Sequence, residues 1–100
     1  MTIDKFSEDS RLTIAVSGRL DTSTAPELEA ELKNSMPGVT ELIFDFEALD
    51  YISSAGLRVL LFAQKTMMRQ GSMKLVNVSE VIYEIFEVTG FSEILTIEQA

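Results

Sequence analysis

Between residues 11 and 20, RLTIAVSGRL, larger apolar side chains alternate with smaller or polar ones: Leu12, Ile14 and Val16 point one way, Thr13, Ala15 and Ser17 the other. A period of two belongs to a strand with one face more deeply buried. A shorter strand is expected around Ile3 to Phe6, joined to it through SEDS, whose residue types suit a turn. The period then changes. In TAPELEAELKNSMPG, Ala25, Leu28, Leu32 and Met36 form one stripe at helical spacing. Thr24 and Glu27 match a capping box there, Pro26 sits in the first turn, and Pro37-Gly38 supplies the stop. ELIFDF, residues 41–46, is a nearly continuous apolar run, as in a central strand covered on both faces.

After Ser54, the positions Leu57, Leu60, Leu61 and Met68, widened by Val59 and Phe62, predict a second helix ending at Gly71. Of the adjacent pair Met67 and Met68, at most one can face fully inward. MKLVNV, residues 73–78, reads as another strand. Ser79 caps a third helix carrying Ile82, Ile85, Phe86 and Thr89, and Gly90 ends it. ILTI, residues 94–97, supplies a last short strand.

The predicted order is therefore β-β-α-β-α-β-α-β. Strands alternating with helices need right-handed crossovers, so the expected class is α/β, a mixed and mostly parallel central sheet with helices packed against it. The first two strands are joined by a turn too short for a parallel crossover and should be antiparallel. One hundred residues, 46% apolar, suit a single domain over residues 1–100. Such a chain buries roughly two-thirds of its unfolded surface without covalent staples.

Charge narrows the class of partner. Sixteen acidic against eight basic residues give a net −8, which opposes binding to nucleic acid or to an anionic membrane. No basic segment followed by an apolar run opens the chain, and no stretch approaches the roughly 18 apolar residues of a membrane span. The expectation is a cytoplasmic protein. Cysteine and histidine are both absent, which removes disulfides, thiolate or imidazole metal sites and a Ser-His-Asp arrangement. The five glycines are scattered one to an element end, so no phosphate loop or dinucleotide fingerprint exists. Tyr51 and Tyr83 are too isolated to stack bases. Asp21, Asp45 and Asp50 fall near predicted strand ends, where they can hydrogen-bond loop amides or, alternatively, gather around a divalent cation. Neither catalysis nor a cofactor is expected.

One stretch holds more hydroxyls than a helix start needs. In YISSAGLRVL, Ser53 suits the N-cap and can accept from an amide two or three residues on. Ser54 then becomes the first helical residue with its hydroxyl free, and Ala55 and Gly56 add almost no bulk, which would let another protein approach. On these residues alone, simple capping explains the pair more readily than an exposed acceptor does, since serines at helix starts are common.

LDYISSAGLRVLL resembles the motif of the STAS-domain family, the anti-sigma factor antagonists of bacterial partner-switching systems, in which Asp-Ser-(Ser/Thr/Ala)-Gly-Leu opens a helix. VSGRLDTSTAPEL is similar to the family's Gly-x-Leu-Asp segment, and VSEVIYEIFEVTGFSEILTI to its last helix, glycine turn and final strand. The resemblance runs over nearly the whole chain. One difference stands out: Ser53 occupies the place of the motif's leading aspartate.

The resemblance implies a non-catalytic binding module acting as an anti-anti-sigma factor in signal transduction and transcription regulation. Unphosphorylated, it would bind an anti-sigma factor serine kinase and free a sigma factor. The kinase, holding its own ATP, would then phosphorylate the protein, and a PP2C-type serine phosphatase would restore the binding form. Ser54 aligns with the family's phosphoacceptor, with Ser53 as second choice, and Asp21 with its loop aspartate. Asp21, Thr22, Ser23, Ser53, Ser54, Ala55, Gly56 and Arg58 are the implied partner-facing residues. A partner switch with a non-sigma output, a STAS subunit of a lipid-transport complex and a small metal-dependent hydrolase are the other readings.

Overall fold

The computed structural model describes residues 1–100. The elements are β1 (Thr2–Glu8), β2 (Arg11–Leu20), α1 (Ala25–Ser35), β3 (Glu41–Asp45), β4 (Leu49–Ile52), α2 (Ser54–Gln70), β5 (Ser72–Val78), α3 (Glu80–Thr89) and β6 (Ile97–Gln99), with a 3-10 turn at Phe91–Glu93. The strands form one sheet in the order β1-β2-β3-β5-β6, and β4 pairs with β2 off that path. β1 and β2 are antiparallel and every other pairing is parallel. The expected α/β class and mostly parallel sheet are thus present.

The strand order carries one element more than the sequence pattern gave. β4 is four residues long and runs buried, exposed, exposed, buried, so it shows no alternation. Its existence follows from the length of β2. The first half of β2 pairs with β3, from Arg11↔Glu41 to Ala15↔Asp45. β3 then ends, and β4 takes over beside β2 from Gly18↔Leu49 to Leu20↔Ile52, past a bulge at Gly18/Arg19. Gly18 adopts φ 85°, a conformation glycine takes readily, and its amide donates to the Ala48 carbonyl at 2.9 Å.

ELIFDF is covered on one face only. Leu42, Phe44 and Phe46 are fully buried, whereas Ile43 is half-buried in a row with Thr13 and Lys74. The cause is topological. From β2 through β3 and β5 to β6 the chain advances across the sheet in one direction, so right-handed crossovers put all three helices on the same side. Phe46, beyond the strand's end, turns back into the core with its ring 5.7 Å from that of Phe44.

The core consists of 25 apolar residues and includes no buried polar or charged residue. Leu12, Ile14, Val16, Leu42, Phe44, Met73 and Leu75 face the helices, which supply Ala25, Leu28 and Leu32, then Leu57, Leu60, Ala63 and Met67, then Ile82 and Phe86. Each such large side chain contributes about 1.5–3 kcal/mol relative to exposure. Of the methionine pair, Met67 is the buried one; Met68 lies 74% exposed, outside the core stripe it was expected to join. Gly71 ends α2 through a close approach. Its φ of 171° is ordinary extended backbone, but a Cβ would stand 1.8 Å from the Thr40 carbonyl oxygen, to which the Ser72 amide donates. The final strand begins later than ILTI implied, because the amides of Ile94 and Leu95 are taken by the Phe91 carbonyl. No helix is long and apolar enough to cross a membrane.

Candidate functional site

Two parallel strand ends build the site. β2 runs out at Leu20 into Asp21, and β4 runs out at Ile52 into Ser53, with Leu20 and Ile52 paired across the ladder. The Ser53 amide donates to the Leu20 carbonyl at 2.9 Å, which fixes the start of α2 beside the loop that enters α1. Loops at the carboxyl ends of parallel strands are where ligands of open α/β sheets gather.

The loop at Asp21 is more ordered than its sequence suggested. The expected Thr24/Glu27 capping box is absent: Thr24 has helical φ/ψ and caps nothing downstream. Asp21 does the capping, one turn earlier. Its Oδ1 accepts from the amides of Ser23 and Thr24 at 3.0 and 3.2 Å and from the Ser23 hydroxyl at 2.8 Å. In return, the Thr24 hydroxyl oxygen accepts from the Asp21 amide at 2.9 Å. This is a reciprocal cap with threonine in the position usually held by Glu or Gln. The Ser23 hydroxyl foremost, then the Thr24 and Ser23 amides and the Thr24 hydroxyl, hold the Asp21 carboxyl below its usual 3.8 against a partial desolvation penalty. Arg19 adds an ion pair to Asp21 Oδ2 at 3.6 Å and lies 4.3 Å over the ring of Tyr51. Arg19 and Tyr51 were missed from sequence; their pairing across β2 and β4 depends on a strand without a pattern.

At the start of α2 the two serines part company. Ser53 has extended N-cap dihedrals, φ −99° and ψ 177°, yet its Oγ caps no amide; the atom is buried without a hydrogen-bond partner. The capping bond expected of Ser53 is therefore not made. Ser54 is exposed at the first helical position. Helical hydrogen bonding starts only with the Leu57 amide, which donates to Ser53 at 3.0 Å. The first-turn amides of α2 thus meet no side-chain cap, and an uncapped helix start attracts an anion.

The other expected residues separate by direction. Thr22, Ala55 and Arg58 line one groove of about 240 Å³ between the starts of α1 and α2, together with Pro26, Glu29 and Val59, which sequence reasoning did not single out. Gly56 faces inward. A Cβ on it would come within 2.8 Å of Ile52 Cγ1 and Leu20 Cγ, so its bareness lets α2 seat on the strand ends and leaves no gap for a partner. Asp45 accepts from the Glu47 amide and the Asn77 side chain, each at 3.1 Å. It does not converge with Asp21 and Asp50, and no group of three carboxylates is arranged to hold a metal ion.

Comparison with known proteins agrees with this fold. BtrV of Bordetella bronchiseptica, assigned as an anti-sigma factor antagonist, is 36% identical over 99 residues, covering 97% of this chain and 84% of its own. The anti-sigma-B factor antagonist of Bacillus subtilis is 28% identical over 98 residues, covering 97% and 90%. Among solved structures, the anti-sigma factor antagonist SpoIIAA of Bacillus superposes in its unphosphorylated form with a TM-score of 0.78 at 20% identity, over 99% of this chain and 89% of that one. Its phosphorylated form gives 0.75 at 20% identity, over 96% and 90%. Residues 3–100 match the STAS domain, and the chain belongs to the STAS-domain family that includes the anti-sigma factor antagonists.

Proposed function

We propose that this chain is an anti-sigma factor antagonist, a single STAS domain over residues 1–100 that binds its anti-sigma factor when Ser54 is unmodified and releases it when Ser54 carries phosphate. The supporting observation is the contrast between the two serines. Ser54 is exposed ahead of uncapped amides, whereas the Ser53 oxygen is buried. That contrast favours Ser54 over Ser53 as the acceptor. The relatives' names supply the rest: BtrV and the Bacillus subtilis protein are anti-sigma antagonists, and SpoIIAA exists in a phosphorylated form. The finer parts of the reading are that the anti-sigma factor is itself the serine kinase, with ATP bound on its side, and that a PP2C-type phosphatase reverses the modification.

Physical chemistry gives the switch its sign. A phosphoryl group at the head of α2 is stabilised by the helix dipole by about 0.3–1 kcal/mol, so the domain stays folded. A partner burying the same spot must desolvate about two negative charges, at a cost of several kcal/mol. Each 1.4 kcal/mol is tenfold in affinity, so release by about a hundredfold or more is within reach. Asp21 and the groove at Thr22, Ala55 and Arg58 form the surrounding contact surface.

The test is intact-mass analysis of the protein from its native cell, before and after phosphatase treatment. One labile phosphate is expected, and it is lost in Ser54→Ala while anti-sigma factor binding persists. A fully labelled Ser54→Ala protein moves the site to Ser53; no phosphate under any growth condition ends the switch reading.

A further inference from the structure

The longest helix of this acidic chain contains no acid. Sixteen Asp and Glu are spread over the sequence, and none lies within Ser54–Gln70, which carries Arg58, Lys65 and Arg69. Five ion pairs engage Lys5, Arg11, Arg19, Lys33 and Lys74, the remaining five of the eight basic residues. The three cations without an ion pair are therefore all on α2, and all three are exposed. At 3.6 residues per turn they lie within about 40° of arc, along about 16 Å of helix, and Ser54 falls about 40° from the middle of that arc. Ser54 heads a straight cationic stripe.

Apolar surface accompanies the charge. Phe62, Lys65, Thr66 and Arg69 line a shallow hollow of about 220 Å³, Lys33 of α1 stands 5.9 Å from the Phe62 ring, and Met68, 74% exposed, lies on the opposite flank of the stripe. Helix stability explains little of this. Arg69 near the C-terminus suits the dipole, but Arg58 in the second turn opposes it, and the like charges Lys65 and Arg69 at i, i+4 repel.

We infer that the outer face of α2, from Arg58 to Arg69, docks an acidic segment of the protein partner that covers Ser54. The inference rests on the proposed function for the position of that partner. Two observations select the occupant. The stripe is continuous with the groove beside Ser54, since Arg58 lines both. The net charge of −8 repels an extended polyanion such as a membrane or a duplex, whereas a short acidic helix meets only the stripe. Phosphate on Ser54 then acts on the stripe as well. An anion four residues ahead of a cation is the favourable helical arrangement, so the phosphoryl group draws Arg58 to itself and lowers the field that holds the acidic segment.

The experiment is an NMR titration of the ¹⁵N-labelled chain with a synthetic amphipathic peptide bearing glutamates along one helical face. Shifts are expected along Arg58, Phe62, Lys65, Thr66 and Arg69. Affinity should fall about tenfold or more between ionic strengths of about 0.01 and 0.15 M, as the Debye length shrinks from about 30 to 8 Å. Lys65→Glu/Arg69→Glu should weaken binding about tenfold or more with the circular dichroism spectrum unchanged, and Lys65→Gln/Arg69→Gln by less; the neutral pair decides the matter should charge reversal unfold α2. Shifts on another face, binding by both double variants equal to that of the parent, self-association through α2, or the same footprint bound more tightly by phosphatidylglycerol vesicles or duplex DNA would each overturn the inference. None of these readings requires modified Ser54, so an unphosphorylated native protein removes the switch without deciding the stripe.

Discussion

Asp21 does two things with one carboxylate: Oδ1 caps the first turn leading into α1, and Oδ2 pairs with Arg19. Its donors favour the charged form, which places the folded-state value below the usual 3.8. A carboxylate lowered in this way stabilises the fold fully above the usual value, and that contribution drains away as pH falls through the lower, folded one. Asp21→Asn keeps a capping oxygen and removes the charge. The variant should therefore melt below the parent at neutral pH, and the two curves should converge once pH drops beneath the aspartate range. A gap in thermal midpoint that persists at low pH would assign the loss to geometry and away from charge. Sequence pointed to Asp21 as a site residue and offered hydrogen bonds from its loop amides, which the structure shows; that these bonds displace the Thr24/Glu27 capping box was hidden. Thr24 and Glu27 satisfy the capping-box spacing equally well, and only the helical dihedrals of Thr24 decide between the two registers.

Elements were legible where one local pattern determined them. α3 shows this best: Ser79 accepts from the Ile82 amide at 3.3 Å, Ile82 and Phe86 face the core, and Gly90 turns left-handed at φ 82°. β4 escaped because its pairing is decided by where β3 leaves β2, a tertiary event with no period-two trace. The methionine pair was resolved towards Met67 because the buried line of α2 runs through Gly56, Leu60, Ala63 and Met67, including two small residues that apolar spacing overlooks. Gly56 therefore links element to site. An added methyl at 2.8 Å from both Ile52 and Leu20 must displace the helix start, at about 1–3 kcal/mol for overpacking against about 1 kcal/mol gained in helix propensity. For Gly56→Ala a net loss of about 1 kcal/mol corresponds to a midpoint lower by about 4–8 °C. Because the same shift moves Ser54, the phosphate uptake proposed for it should slow in parallel; an unchanged midpoint with slowed uptake would mean that Gly56 meets the proposed kinase directly.

Across the whole molecule, the fold and the proposed switch draw on different atoms. The 25-residue core lies between one face of the sheet and three helices, and Ser54 contributes nothing to it. Right-handed crossovers in one direction leave the other face half-buried, a consequence of strand order that ELIFDF alone could not reveal. Charge follows a similar division: the excess acid is spread over the chain, while the three unpaired cations are confined to the helix that Ser54 begins. On the proposed function, a negative charge at position 54 is therefore welcome to the fold and unwelcome to the anti-sigma factor. In Ser54→Asp the dipole contributes about 0.3–1 kcal/mol, which raises the thermal midpoint by about 1–8 °C for a domain of this size. A single carboxylate carries about half the charge of a phosphoryl group, so its burial should weaken anti-sigma factor binding about tenfold, less than true phosphorylation does. Calorimetry and a binding isotherm on the same variant separate the two effects. A midpoint that falls along with affinity would mean that the charge acts by loosening α2, and the switch would then be conformational rather than electrostatic.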